Sequence, residues 1–234
     1  MPAQPSQPMT TPSMSTIRIG DAPYDIAAVS KIPYIKSFID FKSRADPLST
    51  EFAHDAIPLF DIALKGIENG YRRCFRLLPA NVLQYALLCE TYDILGVHIL
   101  RGQTIDYIIE GVKSNRGNYR PNSGHNKAAK AKARDAAFKL LYLILRGDFK
   151  DETRDPLKIF NAVLFLISDP ITFKPNTREV VRAAWRTRFI ASKEQIRRLD
   201  RQEETNAVKQ AAKQAADDNG DITTDEEKYN EGFR

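Results

Sequence analysis

Only two cysteines, Cys74 and Cys89, occur in the 234 residues. A disulfide framework needs about four or more, so none is expected. Both lie in apolar-patterned stretches and read as reduced, buried small hydrophobes. The three histidines, His54, His98 and His125, have no ligand-like spacing and no Cys-x-x-Cys nearby. A zinc centre needs about four such donors held together, so no metal is expected. The eleven glycines are scattered, and neither Gly-x-Gly-x-x-Gly, the P-loop pattern nor Gly-x-Ser-x-Gly occurs. This argues against a backbone phosphate cradle or a nucleophile elbow. Acid pairs such as Asp151-Glu152 and Glu203-Glu204 lack the apolar neighbours that would raise a carboxyl pKa. The expectation is a non-enzyme with no cofactor.

No apolar run reaches the roughly 18 residues that a bilayer-spanning helix needs. Residues 1–16 carry four prolines and no charge. They have neither the basic start of a secretory signal nor the arginines of a mitochondrial presequence. Residues 1–14 read as a disordered leader. No membrane partner is expected, and the cytoplasm, the nucleus or both follow as the compartment.

What is present is ordinary for a soluble globular chain: 42% hydrophobic and 28% charged residues. The charge is uneven. Residues 203–234 hold nine acids and four bases, whereas residues 1–202 hold 31 bases and 21 acids. A basic body with an acidic tail implies either nucleic-acid contact or solvated helix faces, and charge alone favours the second.

Ile17 and Ile19 alternate with Arg18, Gly20-Asp21 supplies turn chemistry, and Tyr24 and Ile26 alternate again, which predicts a short hairpin. A short helix through Ala27–Val29 is expected to end near Pro33. Residues 34–41, rich in aromatic and β-branched types, then read as the end of that helix followed by a strand. From Pro58 the period becomes helical. Phe60, Leu64 and Ile67 form one stripe ended by Gly70. Leu88, Tyr92 and Leu95, widened by Leu83 and Leu87, form another ended by Gly96. Ile105, Ile108, Ile109 and Val112 share a third face.

Residues 114–126 contain no aliphatic side chain and read as a linker or long loop. Beyond it the pattern is helical. One face holds Phe138, Leu141, Tyr142 and Leu145. A helix opened by Asp155-Pro156 carries Ile159, Phe160, Val163, Leu164 and Ile167. Asn176 with Glu179 resembles a capping box before Val181, Trp185 and Phe189. Ser192 with Gln195 is another, opening a polar helix expected to stop at Asn219-Gly220.

Two basic groups stand out. Lys127, Lys130 and Lys132 belong to a stretch free of acids, and Arg178, Arg182 and Arg186 recur every four residues on one helix face. Such stripes neutralise phosphates in nucleic-acid binders. No zinc-finger, basic-zipper or RNA-recognition signature accompanies them. Solvated faces pairing with the acidic tail are therefore the preferred reading, with nucleic acid as the rival.

The opening Ile17-Arg18-Ile19-Gly20, the segment Val29 to Phe38 with Tyr34, Ser37 and Phe38, the helix Pro58 to Ile67 and the stretch Val82 to Val97 together resemble a BTB/POZ domain over residues 15–112. The whole chain also resembles a group of fungal proteins that begin in this way and continue as helices. The resemblance implies an α+β chain. A BTB/POZ-like domain of short strands and helices would precede residues 113–126 as linker, an all-helical domain over 127–202, and a polar helix extension with a disordered acidic tail over 203–234. It also implies protein partners and an adaptor or scaffold role, often as a homodimer. Tyr34, Phe38 and Phe41 are the candidate contact surface, since strand alternation would send some of them outward. The alternative is that Trp185 and Phe189 cover them within one chain.

Overall fold

The computed structural model describes residues 16–47, 51–116, 124–146, 156–189 and 191–230, with the backbone alone at 124–126, 156, 209–210, 213–214 and 216–230. The expected leader and part of the expected linker lie outside these. The chain is mostly helical with a three-stranded sheet near its start, an α+β arrangement. It divides into two compact units. One runs to Leu64 and adds Leu87–Ile99; the other holds Lys65–Ala86 and the chain from Leu100.

In the first unit, β1 (Thr16–Ile19) pairs antiparallel with β2 (Ala22–Asp25), leaving Gly20-Asp21 as a two-residue turn. Gly20 has φ +60, and a Cβ there would meet the Ala56 Cβ at 3.1 Å. The left-handed conformation at the first turn position suits a hairpin of the II′ kind. Ile17 and Ile19 are buried and Arg18 is exposed, as alternation requires. The Asp25 carboxylate accepts a 2.8 Å hydrogen bond from the Ala27 amide and caps α1 (Ile26–Val29).

A second helix, α2 (Pro33–Ala45), then leads to β3 (Phe52–His54), which lies parallel to β1 with Ile17 opposite Phe52. The strand expected within residues 34–41 is therefore helix. Pro33 starts α2, because at the first helical position its missing N–H costs nothing. Burial of Ile35 on one face overrides local β-propensity.

Next come α3 (Phe60–Asn69) and α5 (Val82–Ile94), separated by a 3₁₀ turn (Tyr71–Arg73) and α4 (Cys74–Leu77). Phe60 and Ala63 are buried on α3, whereas Leu64 and Ile67 are only half-buried, so the inward row is shifted from the expected one. On α5 the buried positions are Tyr85, Leu88, Cys89, Thr91 and Tyr92; Leu83 is 76% exposed and widens nothing. Gly70 (φ +87) and Gly96 (φ +67) end their helices as expected. Thr91 Oγ1 donates to Pro58 O at 2.8 Å, and Tyr92 Oη to Ala63 O at 3.3 Å.

Tyr24 packs edge-on against Phe60 at 4.9 Å and donates to Asp61 Oδ1 at 2.8 Å. Burial, then the Asp61 hydrogen bond and charge, push its phenol up to about 12. A phenol raised in the folded state stabilises fully below its unfolded value of about 10 and loses that contribution as pH rises through its folded one. The unfolding free energy should therefore fall between pH 10 and about 12. Alkaline denaturation series of the wild type and Tyr24→Phe check this. An equal fall in both would show that Tyr24 carries none of it.

The second unit contains α6 (Ile105–Val112), α7 (Gly124–Arg146), α8 (Pro156–Ser168), α9 (Pro175–Arg188) and α10 (Lys193–Asn230). Ile105, Ile108, Ile109 and Val112 are buried, and α6 packs on α7. The Ser192–Gln195 capping box is present, with reciprocal bonds of 3.0 and 3.2 Å. The Asn176–Glu179 box is not. The N-cap of α9 is Lys174, and Asn176 lies in the first turn, donating to Phe75 O at 2.8 Å and Leu78 O at 3.1 Å. The backbone of α10 is helical to Asn230, so Asn219-Gly220 does not stop it.

The expected division at 113–126 is not where the compact units part. Ser114 Oγ donates to Ala129 O at 3.3 Å, and the buried Asn115 amide donates to Thr172 Oγ1 at 2.8 Å. Polar side chains thus tie residues 114 and 115 to the helical unit, and the division falls inside α3 and α5 instead. Both cysteines are buried, and no disulfide joins them. No described helix is long and apolar enough to cross a membrane.

Candidate interaction face and cationic pocket

The candidate surface on α2 is graded. Tyr34, 38% exposed, sends its hydroxyl to within 3.0 Å of His54 Nε2. The half-buried Phe38 ring meets the His54 ring edge-on at 4.7 Å, and the Lys42 ammonium lies 5.8 Å from its centroid. His54 Nδ1 is 2.7 Å from Asp55 O, the geometry of an Nδ1–H donor, which leaves Nε2 to accept from Tyr34. Two of the three aromatics are therefore engaged by β3. Phe41 stands clear at 67% exposure.

The candidate basic residues behave differently from one another. Arg182 pairs with Glu203 and Arg186 with Asp200, both carboxylates on α10. Arg178 is 9% exposed, and its Nε has no hydrogen-bond partner. Burial pulls Arg178 and Arg182 below the ordinary guanidinium value. Two of the three arginines in the four-residue spacing thus face α10. α10 also packs on α8, where Leu199 and Asn206 are buried and the Asn206 amide donates to Ile167 O at 2.6 Å. Lys127 and Lys132 are exposed near the start of α7, Lys130 is half-buried, and the Lys132 ammonium lies 5.8 Å from the Tyr107 ring centroid.

A second basic cluster is built from residues on three separate stretches. The 3₁₀ turn and α4 send Tyr71, Cys74, Phe75 and Leu78 inward at i, i+3, i+4 and i+7, which leaves Arg72, Arg73 and Arg76 on the outer side. The turn is pinned to α7: the Tyr71 amide donates to Asp135 Oδ1 at 2.9 Å, and the Tyr71 ring stacks on Phe138 at 5.5 Å. Asn176 clamps the end of α4 to the start of α9. Between them lies a cavity of about 220 Å³ lined by Arg72, Arg73, Phe75, Arg76, Arg134, Lys174 and Thr177.

Five of those seven residues are cations, and none is an acid. Arg134 Nε donates to Thr172 O at 2.7 Å. Burial, with the Arg76 and Arg72 charges beside it, pulls the Arg134 guanidinium below its ordinary value, while Asp169 opposes that shift. Asp169 Oδ1 already accepts from the Ile171 and Thr172 amides, each at 3.0 Å. Lys174 caps α9 without a side-chain hydrogen bond, and the first turn of that helix has no acid. Its positive end is thus left uncompensated.

Of the residues around this pocket, only Arg134 lies in a basic run that is conspicuous in the sequence. The spacing of Arg72, Arg73 and Arg76 around an inward apolar row is a readable signal. The approach of Arg134 and Lys174 has none. Among the described residues, no three His, Cys, Asp or Glu side chains gather as a metal site. No protein-family model matches the chain, and no curated protein or solved structure matches it either.

Proposed function

We propose that this chain is a non-enzymatic protein–protein interaction module, a scaffold or adaptor whose BTB/POZ-like first unit self-associates through α2. The order hairpin, two helices, third strand and further helices supports the finer fold reading. The observation that carries the functional one is Phe41, a large ring 67% exposed on a helix whose opposite face buries Ile35 completely. An aromatic side chain on an interface typically anchors it. The second copy is the occupant that the family resemblance implies, and a two-fold pairing is the commonest closed assembly.

Sedimentation equilibrium of the full chain should show concentration-dependent dimerisation. Phe41→Asp should weaken it at least about 30-fold, the equivalent of a 2 kcal/mol anchor. A wild type that stays monomeric throughout, or a variant that pairs as well as wild type, would reject the reading. Against the nucleic-acid alternative, Arg182 and Arg186 of its arginine stripe are paired with carboxylates on α10.

A further inference from the structure

We propose that the cationic pocket of the second unit is a binding site for a phosphate monoester. The pocket is lined by residues of the second unit alone, and the proposal does not depend on self-association.

The argument begins with charge. Two arginines of α9 are matched by carboxylates: Arg182 has Glu203 and Arg186 has Asp200. Around the pocket, no carboxylate among the described residues lies within ion-pair distance of Arg72, Arg73, Arg76, Arg134 or Lys174. Holding five like charges about one cavity is unfavourable without an anion between them. The Arg134 guanidinium keeps its charge at neutral pH, because a guanidinium retains its proton even when burial lowers its pKa.

Shape and donor type narrow the anion. Guanidinium forks match the oxygens of a phosphate two at a time, and a dianion meets more of the donors than a carboxylate can. The uncompensated start of α9 adds amide dipoles to the same side. The cavity, about 220 Å³, falls below the roughly 300–1,000 Å³ of pockets that enclose a whole drug-sized ligand. It suits one phosphate and the first atoms of its ester. The only ring in the lining, Phe75, is 6% exposed and offers no platform on which a nucleobase could stack. Arg73, Arg76 and Lys174 are at the rim, while Phe75 and Thr177 are buried, so the site opens to solvent. Both a free small phosphate and a phosphorylated side chain of a partner present this monoester chemistry.

Calorimetric titration of the full chain in phosphate-free buffer tests it with three probes: glycerol 3-phosphate, a phosphothreonine peptide with its unphosphorylated twin, and a single-stranded DNA oligonucleotide. At least one monoester should bind at submillimolar concentration and weaken with salt. Arg76→Gln, at an exposed position, and Arg134→Gln should each reduce that binding about tenfold or more, the effect of losing one charge-assisted bond. A phosphopeptide at least tenfold tighter than glycerol 3-phosphate would identify a partner side chain as the source. Equal affinities would identify a free small molecule. The proposal is overturned if neither monoester binds at 10 mM, or if Arg76→Gln with unchanged thermal stability binds as well as wild type. Tighter binding of the oligonucleotide than of either monoester would also overturn it, in favour of nucleic acid.

Discussion

Phe138→Ala should cost about 3–5 kcal/mol of folding stability, the range for removing a fully packed aromatic ring. Phe138 has no exposed surface. Tyr71 stacks on it with 18° between the planes, and Phe75 meets it edge-on at 5.8 Å. Phe75 in turn packs on Tyr85 at 5.7 Å. Aromatic pairs add about 0.5–1.5 kcal/mol beyond area burial, so the loss should fall toward the upper end. The effect should reach the pocket as well, because Tyr71 and Phe75 anchor the turn that carries its arginines. Trp185 is the only tryptophan and lies in the same unit, so its fluorescence in a urea series reads this transition selectively. A loss below about 1 kcal/mol would show that the ring is not a keystone of this core.

Gly111→Leu should be strongly destabilising, by about 3 kcal/mol, the upper range for overpacking. A Cβ on Gly111 would stand 2.9 Å from the Ala136 Cβ, where α6 and α7 pack together. On an exposed helix the same change would stabilise by about 1 kcal/mol, because glycine is a poor helix former. The sign alone therefore distinguishes a packed seam from a free face. Gly111→Ala should be rescued by Ala136→Gly, with a coupling of roughly 1 kcal/mol or more in a double-mutant cycle. Additive effects would show that the two positions do not touch.

Much of the local structure is legible in the residues. The hairpin turn at Gly20-Asp21, the stops at Gly70 and Gly96, the Ile105–Val112 face and the Ser192–Gln195 cap all depend on neighbours within about four residues along the chain. Where burial competes with local preference, composition misleads. Residues 34–41 look like strand by composition, yet Pro33 starts a helix there and Ile35 is driven inward. On α3 the choice between Leu64 and Ala63 as the inward residue depends on what packs opposite, which periodicity does not specify.

Charge shows the same limit. The spacing of Arg178, Arg182 and Arg186 correctly places them on one helix face, but a helix face carries no label for what covers it. Glu203 and Asp200 cover it here, because α10 packs back along the second unit. The cationic pocket is the converse case. Arg72, Arg134 and Lys174 come from three distant stretches, and only the burial of Tyr71, Phe75 and Phe138 between them draws those charges to one cavity. Order along a chain records the interactions made within a helical turn. Apolar burial is non-directional and acts between distant segments, so what such a core gathers at its surface exists only once the core has formed.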